Sequence, residues 1–478
     1  MPVANTLARM PLLWYAMGMN VHVYFHGGTL VLQGLSAQPD LVLPEPFTLV
    51  KGKWRCEAYH FQKLEPWLHS QGIRIAVPRW QRLALKLHDQ REPHAYQMDA
   101  LAAWEQAGHR GSVVLPTGSG KTFLAVQAIH RVQASTLVIV PTIDLLHMWY
   151  YRLTQAFQTE IGVYYSGEKL VQPVTVTTYS SAGDLMAEQG NAFKFLIADE
   201  VHHLPARTWG EAALMAPAPY RLGLTATYPE EYEQTHGRWR VDALIGPLVY
   251  ALGIEQLVGQ QLAEYRTQRI RVNLTAEERA QYNAAHAIYI GFLQQRQLRK
   301  SHGAGWLFEL MRLSAFDPEA RRALLARQTL LRIVESCQEK FLALDNLLHE
   351  FADQRVLIFT ASNEIVYRIS CEYLVPCITH ETGAAERKQI LDGFQAGTYR
   401  VLATSKVLNE GIDVPEVKVA IVLGGGSGHR EYVQRLGRIL RKKEQLQATL
   451  IEVLARNTIE ESKVQRRRYP GRGLYAHR

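Results

Sequence analysis

Cysteine is scarce in this chain: Cys56, Cys337, Cys371 and Cys377 are the only four among 478 residues, and no two form a Cys-x-x-Cys pair. That spacing gives no support to a zinc ribbon or an iron–sulfur cluster, and it fits a reduced cytoplasmic compartment. No apolar run approaches the ~18 residues of a membrane span. The opening stretch MPVANTLARMPLLWYAMGM is mildly apolar. It lacks a strong basic start and a small-residue cleavage site, so it does not read as a secretory signal. Low-complexity tracts are absent, and acid is missing from the tail that starts at Lys463, which carries six Lys/Arg.

What is present reads as globular: 47% hydrophobic and 21% charged residues. The length implies several domains. A net charge of +8 is compatible with nucleic acid but weak evidence taken alone.

Along the chain, VHVYFHGGTLVL (Val21 to Leu32) alternates around Gly27-Gly28 and predicts a hairpin. KGKWRCEAYHFQKLEPWLHSQG adds a short strand and a helix ending near Gly72, giving a small α+β domain over 1–80. VPRWQRLALKLHDQREP reads as a linker. Over 88–258, the runs GSVVLP, STLVIVP, VTVTTY, FLIAD and RLGLTAT alternate with helix-like segments, which predicts a parallel sheet. Residues 265–345 read as helical without strand signals, with Thr275 and Glu278 in capping-box spacing and Asp317-Pro318 opening a later helix. Strand-like runs return over 346–460 (RVLIFT, CITHE, YRVLATS, VKVAIVL, ATLIEVL), followed by a basic tail at 461–478.

VVLPTGSGKTF places a glycine-containing loop between a strand and a helix. Backbone N–H groups of such a loop form an anion nest, reinforced by the helix N-terminus. Pro116, Thr117, Gly118, Ser119, Gly120, Lys121 and Thr122 are thus expected to hold a nucleotide phosphate. Lys121 would reach the β- and γ-phosphates, and the Thr122 hydroxyl would ligate Mg²⁺. The strict motif wants glycine at position 115, where this chain has Leu115.

KFLIADEVHH ends an apolar run on two adjacent carboxylates, a costly arrangement without a cation. A magnesium–triphosphate supplies that cation. Asp199 would then serve the metal and Glu200 would polarise the attacking water. His202 is expected to link the site to a neighbouring strand, with Thr225 and Thr227 of GLTATY as coupling partners. A zinc reading of His202 and His203 lacks a third ligand.

Gln434, Arg438 and Arg441 fall at helical spacing, i, i+4 and i+7, and share one face. They are candidate catalytic groups reaching the γ-phosphate from a second domain. Gly411 and Asp413 precede them as nucleotide-cleft candidates, and Tyr96 with Gln97 are candidates for the adenine.

These pieces in this order, over about 90–460, resemble a superfamily 2 helicase, and the shorter Gly118-Ser119-Gly120-Lys121-Thr122 loop is the form seen there. DEVHH, RLGLTAT, VLNEGIDVPEV and QRLGRILR are similar to the XPB DNA-repair helicase family. WRCEAYHFQKLEPWL looks like that family's damage-recognition domain, and 265–345 sits where it carries a thumb-like element. The resemblance implies an α/β fold of two RecA-like parallel-sheet domains, with the small N-terminal α+β domain and the helical insert. It implies ATP and Mg²⁺ as cofactors, and 3′-to-5′ movement on single-stranded or forked DNA in repair. A repair nuclease or other repair protein is an expected partner. Thr142, Arg152, Thr178, Ser180, Thr404 and Ser405, near strand ends, are candidate nucleic-acid contacts. After Thr227 the chain departs from the family. Tyr228 replaces proline and no Arg-Glu-Asp triplet follows, which leaves the duplex-splitting role of that triplet without a carrier. The rival readings are a duplex translocase that does not unwind, an RNA helicase and a non-catalytic scaffold.

Overall fold

The computed structural model of the protein describes residues 21–34, 43–229, 239–257, 265–302, 305–405, 417–424 and 448–461. The chain divides into two compact units: Met1–Leu115 with Gly120–Ala251, and Leu252–Arg478 with Pro116–Ser119.

The first unit holds two sheets. The smaller has strands β1 (His22–His26), β2 (Thr29–Gln33), β3 (Thr48–Val50), β4 (Lys53–Glu57) and β5 (Arg74–Ala76), in the order β3-β4-β2-β1-β5. β1 and β2 form the expected hairpin, and Gly27 (φ 59°) and Gly28 (φ 70°) supply the two positive φ angles of its turn. Val23, Leu30, Leu32 and Cys56 form a core with Phe61, Leu64 and Leu68 of the helix Phe61–Ser70.

The larger sheet comprises β6 (Arg110–Val114), β7 (Thr136–Val140), β8 (Gly162–Tyr165), β9 (Glu168–Leu170), β10 (Val174–Thr178), β11 (Phe195–Asp199), β12 (Tyr220–Thr225) and β13 (Leu248–Ala251). Its order is β13-β6-β12-β11-β7-β10-β8-β9. β6, β12, β11, β7 and β10 are mutually parallel, so their C-terminal ends share one edge. In such sheets that edge is where ligands bind. All five strands were legible as apolar runs. β8, β9 and β13 were not: each is only three or four residues long, and β9 is polar.

The small sheet is docked on the large one within this unit. The Tyr59 hydroxyl donates to the Ala243 carbonyl, and the Arg221 guanidinium lies 4.9 Å from the Tyr59 ring centre. Arg221 is fully buried and donates to the carbonyls of Ala213, Ala216, Ala218 and Leu244 at 2.6–3.1 Å. Four carbonyl acceptors compensate a desolvated cation. Burial, with Arg110 nearby, pulls its pKa below the usual arginine value.

The expected linker is tied down. Asn191 holds the Val77 carbonyl (2.7 Å) and Gln133 holds both the N–H and the carbonyl of Leu85 (2.7 and 2.9 Å). His88 N–H donates to the Ala156 carbonyl. Residues 77–88 thus run as a strap over the large sheet, satisfying their backbone groups against it.

The second unit contains β14 (Tyr265–Val272), β15 (Val356–Phe359), β16 (Cys377–Ile378), β17 (Val401–Thr404), β18 (Val419–Val422) and β19 (Ala448–Ala455), ordered β14-β19-β18-β15-β17-β16. The pairings among them are parallel. β14 corrects the expectation that 265–345 is helical throughout. Its sequence YRTQRIRV carries arginines where an apolar run was sought, and it pairs along its whole length with β19. Arg269 finds Glu452 on that neighbour at 2.9 Å. The remainder is helical as read, with helices Ala276–Gln295, Leu298–His302, Trp306–Leu313, Pro318–Ser336 and Gln338–Glu350. The Thr275–Glu278 capping box is formed, and Asp317 caps the helix opened by Pro318. Tyr282, Leu330, Val334 and Leu344 of these helices share one core with Val356, Ile358 and Ile451 of the sheet. Among the described residues no helix is long and apolar enough to cross a membrane.

Candidate active site

The loop Leu115–Gly120 joins β6 to the helix Lys121–Val132 at the ligand edge. Gly118 and Gly120 both take φ of 84°, a left-handed conformation that favours glycine. A Cβ on Gly120 would stand 2.6 Å from the Gln97 amide nitrogen, so a side chain there would push the Gln97 amide aside. Gln97 is buried, donates to the Gly120 carbonyl at 3.4 Å, and accepts from its own helix at His94 N–H. It therefore buttresses the loop. Tyr96 is half-buried and stacks on His94, and burial pushes its hydroxyl up to about 12.

Ser119 closes the loop by donating to the Pro116 carbonyl at 2.7 Å. Lys121 and Thr122 are half-buried, and Lys121 Nζ rests on the Leu115 carbonyl at 3.3 Å, a weak bond it can exchange for a better acceptor. The buried Thr117 hydroxyl finds no hydrogen-bond partner. A buried hydroxyl left unpaired, two left-handed glycines and a weakly held ammonium together fit an anionic, oxygen-rich ligand.

Asp199 ends β11 on the same sheet edge and is buried. Its Oδ2 accepts from Trp149 Nε1 (2.7 Å) and its Oδ1 from the Glu200 N–H (3.0 Å). Burial first, then the Glu200 charge, pushes its pKa up to about 6, and Lys121 partly opposes this. A carboxylate so destabilised is a ready ligand for a cation. Glu200 follows in a left-handed conformation (φ 48°, ψ 53°) uncommon for a residue with a side chain.

His202 Nδ1 lies 2.9 Å from the Thr225 hydroxyl, and Glu200 Oε2 lies 3.5 Å from both. Thr225 Oγ1 also donates to the Thr227 carbonyl (2.9 Å) and accepts from its N–H (3.2 Å). The structure thus brings Glu200, His202, Thr225 and Thr227 into one buried network joining β11 to β12. Among the described residues no group of three or more His, Cys, Asp or Glu clusters for a metal.

The nucleic-acid candidates divide. Thr142 follows β7 and caps the helix Ile143–Phe157 by accepting from Leu145 N–H, and Arg152 lies exposed on that helix. Ser180 is exposed beside Thr178, whose buried hydroxyl lies 2.9 Å from it and 3.2 Å from Ser181. Thr404 and Ser405 are buried, and the Thr404 hydroxyl donates to the Ile378 carbonyl at 3.0 Å. Thr404 is therefore a cross-tie inside the second sheet. Gly411, Asp413, Gln434, Arg438 and Arg441 lie outside the described residues. The sequence reading did not single out Trp149, because its partner Asp199 lies 50 residues further along the chain.

Residues 90–230 match the family described as type III restriction enzyme, res subunit, and residues 339–443 match the helicase conserved C-terminal domain. The protein named DNA 3′-5′ translocase XPB2 from Sulfurisphaera tokodaii is 40% identical over 382 residues, covering 80% of this chain and 86% of that protein. The chain belongs to the XPB family. The DNA 3′-5′ helicase XPB of Mycobacterium tuberculosis is 30% identical over 74% of this chain and 59% of its own length. A solved structure of Saccharomyces cerevisiae Dbp5 bound to RNA and ADP BeF3 aligns with a TM-score of 0.51. It shares 14% identity over 79% of this chain and 88% of that one, a likeness of fold alone. Membership of the XPB family makes this chain a nucleotide-dependent enzyme of the helicase class with two RecA-like domains. The first matched stretch, residues 90–230, contains Lys121, Asp199 and Glu200.

Proposed function

We propose that this XPB-family chain is an ATP-driven DNA motor that moves 3′ to 5′ and opens duplex DNA in repair. The observation that carries the reading is the buried Asp199–Glu200 pair at the end of β11, on the same sheet edge as the loop leading to Lys121. The loop glycines and Lys121 would hold the phosphates. Thr122 and Asp199 offer the oxygen donors that suit Mg²⁺. When bound, the metal offsets the negative charge of the phosphate oxygens.

Glu200 would orient and polarise the attacking water. Its link to His202 and Thr225 ties that carboxylate to β12, so a change at the nucleotide is felt one strand away. Trp149 and the Glu200 N–H hold the Asp199 oxygens in place. Arg438 and Arg441, with Gln434, would bring positive charge from the second domain to the γ-phosphate, a contribution of about 10³ to 10⁵ in rate where such fingers operate. Gly411 and Asp413 would line the same nucleotide, and Tyr96 would face its base. Thr142 and Ser180, near strand ends of the first sheet, and Arg152, on the helix Ile143–Phe157, would contact the DNA backbone, so affinity should fall steeply with salt. We assign the chain to the cytoplasm, with repair proteins as partners.

The test is ATP turnover with single-stranded, duplex and forked DNA and with RNA. Stimulation by DNA above RNA supports the reading, and stimulation by RNA alone overturns it.

One observation favours a second reading. The missing Arg-Glu-Asp triplet, together with the name translocase on the 40% identical relative, points to movement along duplex DNA without strand separation. Displacement of a third strand without displacement of a paired strand would select it.

A further inference from the structure

The helical insert carries an exposed aromatic face that none of the roles above uses. Phe308 and Met311, three residues apart on the helix Trp306–Leu313, are 69% and 55% exposed. Phe316, in the turn before the Asp317 cap, is 65% exposed. The same helix already fills its core side with the fully buried Leu310, and Trp306 packs on Tyr289. The outward rings are therefore surplus to the core.

Arg312 sits four residues from Phe308, on the same helix face. Its guanidinium lies 5.6 Å from the Phe316 ring centre and donates to both Glu309 oxygens at 2.6 and 2.7 Å. The Phe316 ring is thus held in place by a cation that is itself anchored. An ordered ring costs less to engage than a free one.

The surroundings select the partner. Between Arg296 and Arg332 the chain has eight Lys/Arg and three acids. Glu309 is occupied by Arg312. Asp317 is occupied by Arg296 and by the Glu319 N–H. Arg299 lies 5.4 Å from the Trp306 ring centre and Arg321 donates to the Ser314 carbonyl at 3.2 Å, which sets two further cations against this segment and favours a polyanion. Apolar rings set in a cationic field match a ligand that carries flat π-faces on a phosphate backbone.

We propose that Phe308 and Phe316, with Met311 beside them, form a base-stacking platform for single-stranded DNA on the helical insert. This rests on the DNA-motor reading. The platform reads no base edge, so it tolerates any sequence. It gives the chain a grip on unpaired bases that does not depend on the absent triplet.

The experiment uses the full chain and anisotropy of labelled oligonucleotides: single-stranded, duplex, and a single strand with abasic sites. Stacking is worth about fivefold to a hundredfold in affinity per base. The intact strand should therefore bind unaltered protein at least about tenfold more tightly than the abasic one. Phe308→Ala with Phe316→Ala should remove that preference, leave duplex affinity within about twofold, and preserve the salt slope and the DNA-free ATP turnover. Phe316→Trp should retain the preference, and circular dichroism melting verifies that each variant is folded. Equal affinity of the unaltered chain for intact and abasic strands overturns the platform while leaving the motor reading standing. Equal losses on single strand and duplex, or competition by polyglutamate as strong as by DNA, also overturn it. Absence of any DNA binding overturns both.

Discussion

Trp149 donates its indole N–H to Oδ2 of Asp199 across 2.7 Å, deep beneath the ligand edge of the first sheet. With the Glu200 N–H on the other oxygen, it fixes the carboxylate by neutral donors and leaves lone pairs free. The residue that would serve a metal is thus oriented from an adjoining helix, by a tryptophan that also packs in the core.

Replacing that donor should move a titration. Trp149→Phe removes one group that favours ionised Asp199, so the pKa of the carboxyl should rise further. The acid limb of the pH dependence of kcat/KM should shift upward by about one unit, as one lost hydrogen bond implies. Activity should recover at pH 8. A uniform loss at every pH would mean that Trp149 acts only through packing.

The raised pKa of Asp199 has a sign that can be measured. Its folded value near 6 exceeds the ordinary 3.8, so the group favours the folded chain below pH 4, and that contribution is lost as pH rises through 6. A bound cation reverses the shift. Binding of magnesium–nucleotide at pH 6 should therefore release about half a proton, and close to none at pH 8. Calorimetry in two buffers of different ionisation enthalpy reads this directly; equal proton release at both pH values would contradict it.

Glu200→Gln keeps the shape and the left-handed turn but removes the charge. ATP turnover should drop at least about a hundredfold, since general-base groups contribute about 10² to 10⁴. Nucleotide affinity should stay within a few-fold. Near-normal turnover would refute the assignment of Glu200.

The small sheet is predicted to brace the large one through Tyr59. Tyr59→Ala loses the hydrogen bond to Ala243 and the ring over Arg221, together worth about 2–4 kcal/mol. Denaturant melts should show that loss. Tyr59→Phe should recover the ring's share only. An unchanged midpoint for Tyr59→Ala would mean that the docking is energetically idle.

Much of this was legible because it is local. The Gly27-Gly28 turn, the Thr275–Glu278 box and the glycine-bounded loop before Lys121 are each set by a few consecutive residues. What escaped was written in distant partners. β14 was unreadable because Arg266, Arg269 and Arg271 break any apolar pattern, and Arg269 makes sense only beside Glu452, 183 residues away. Gln97 was read from its place ahead of the loop, and its contact with Gly120, 23 residues on, was not visible in any local pattern. Thr404, chosen for its hydroxyl near a strand end, spends that hydroxyl inside the sheet. Trp149 and Asp199 are 50 residues apart, and no spacing rule connects them.

The most direct test is steady-state ATP hydrolysis by the full chain beside Lys121→Ala, each with and without single-stranded DNA. The account predicts DNA-stimulated turnover in the first and turnover at background in the second, with both proteins melting cooperatively. Equal turnover by the two would show that the loop before Lys121 does not hold the triphosphate, and would contradict the account at its base.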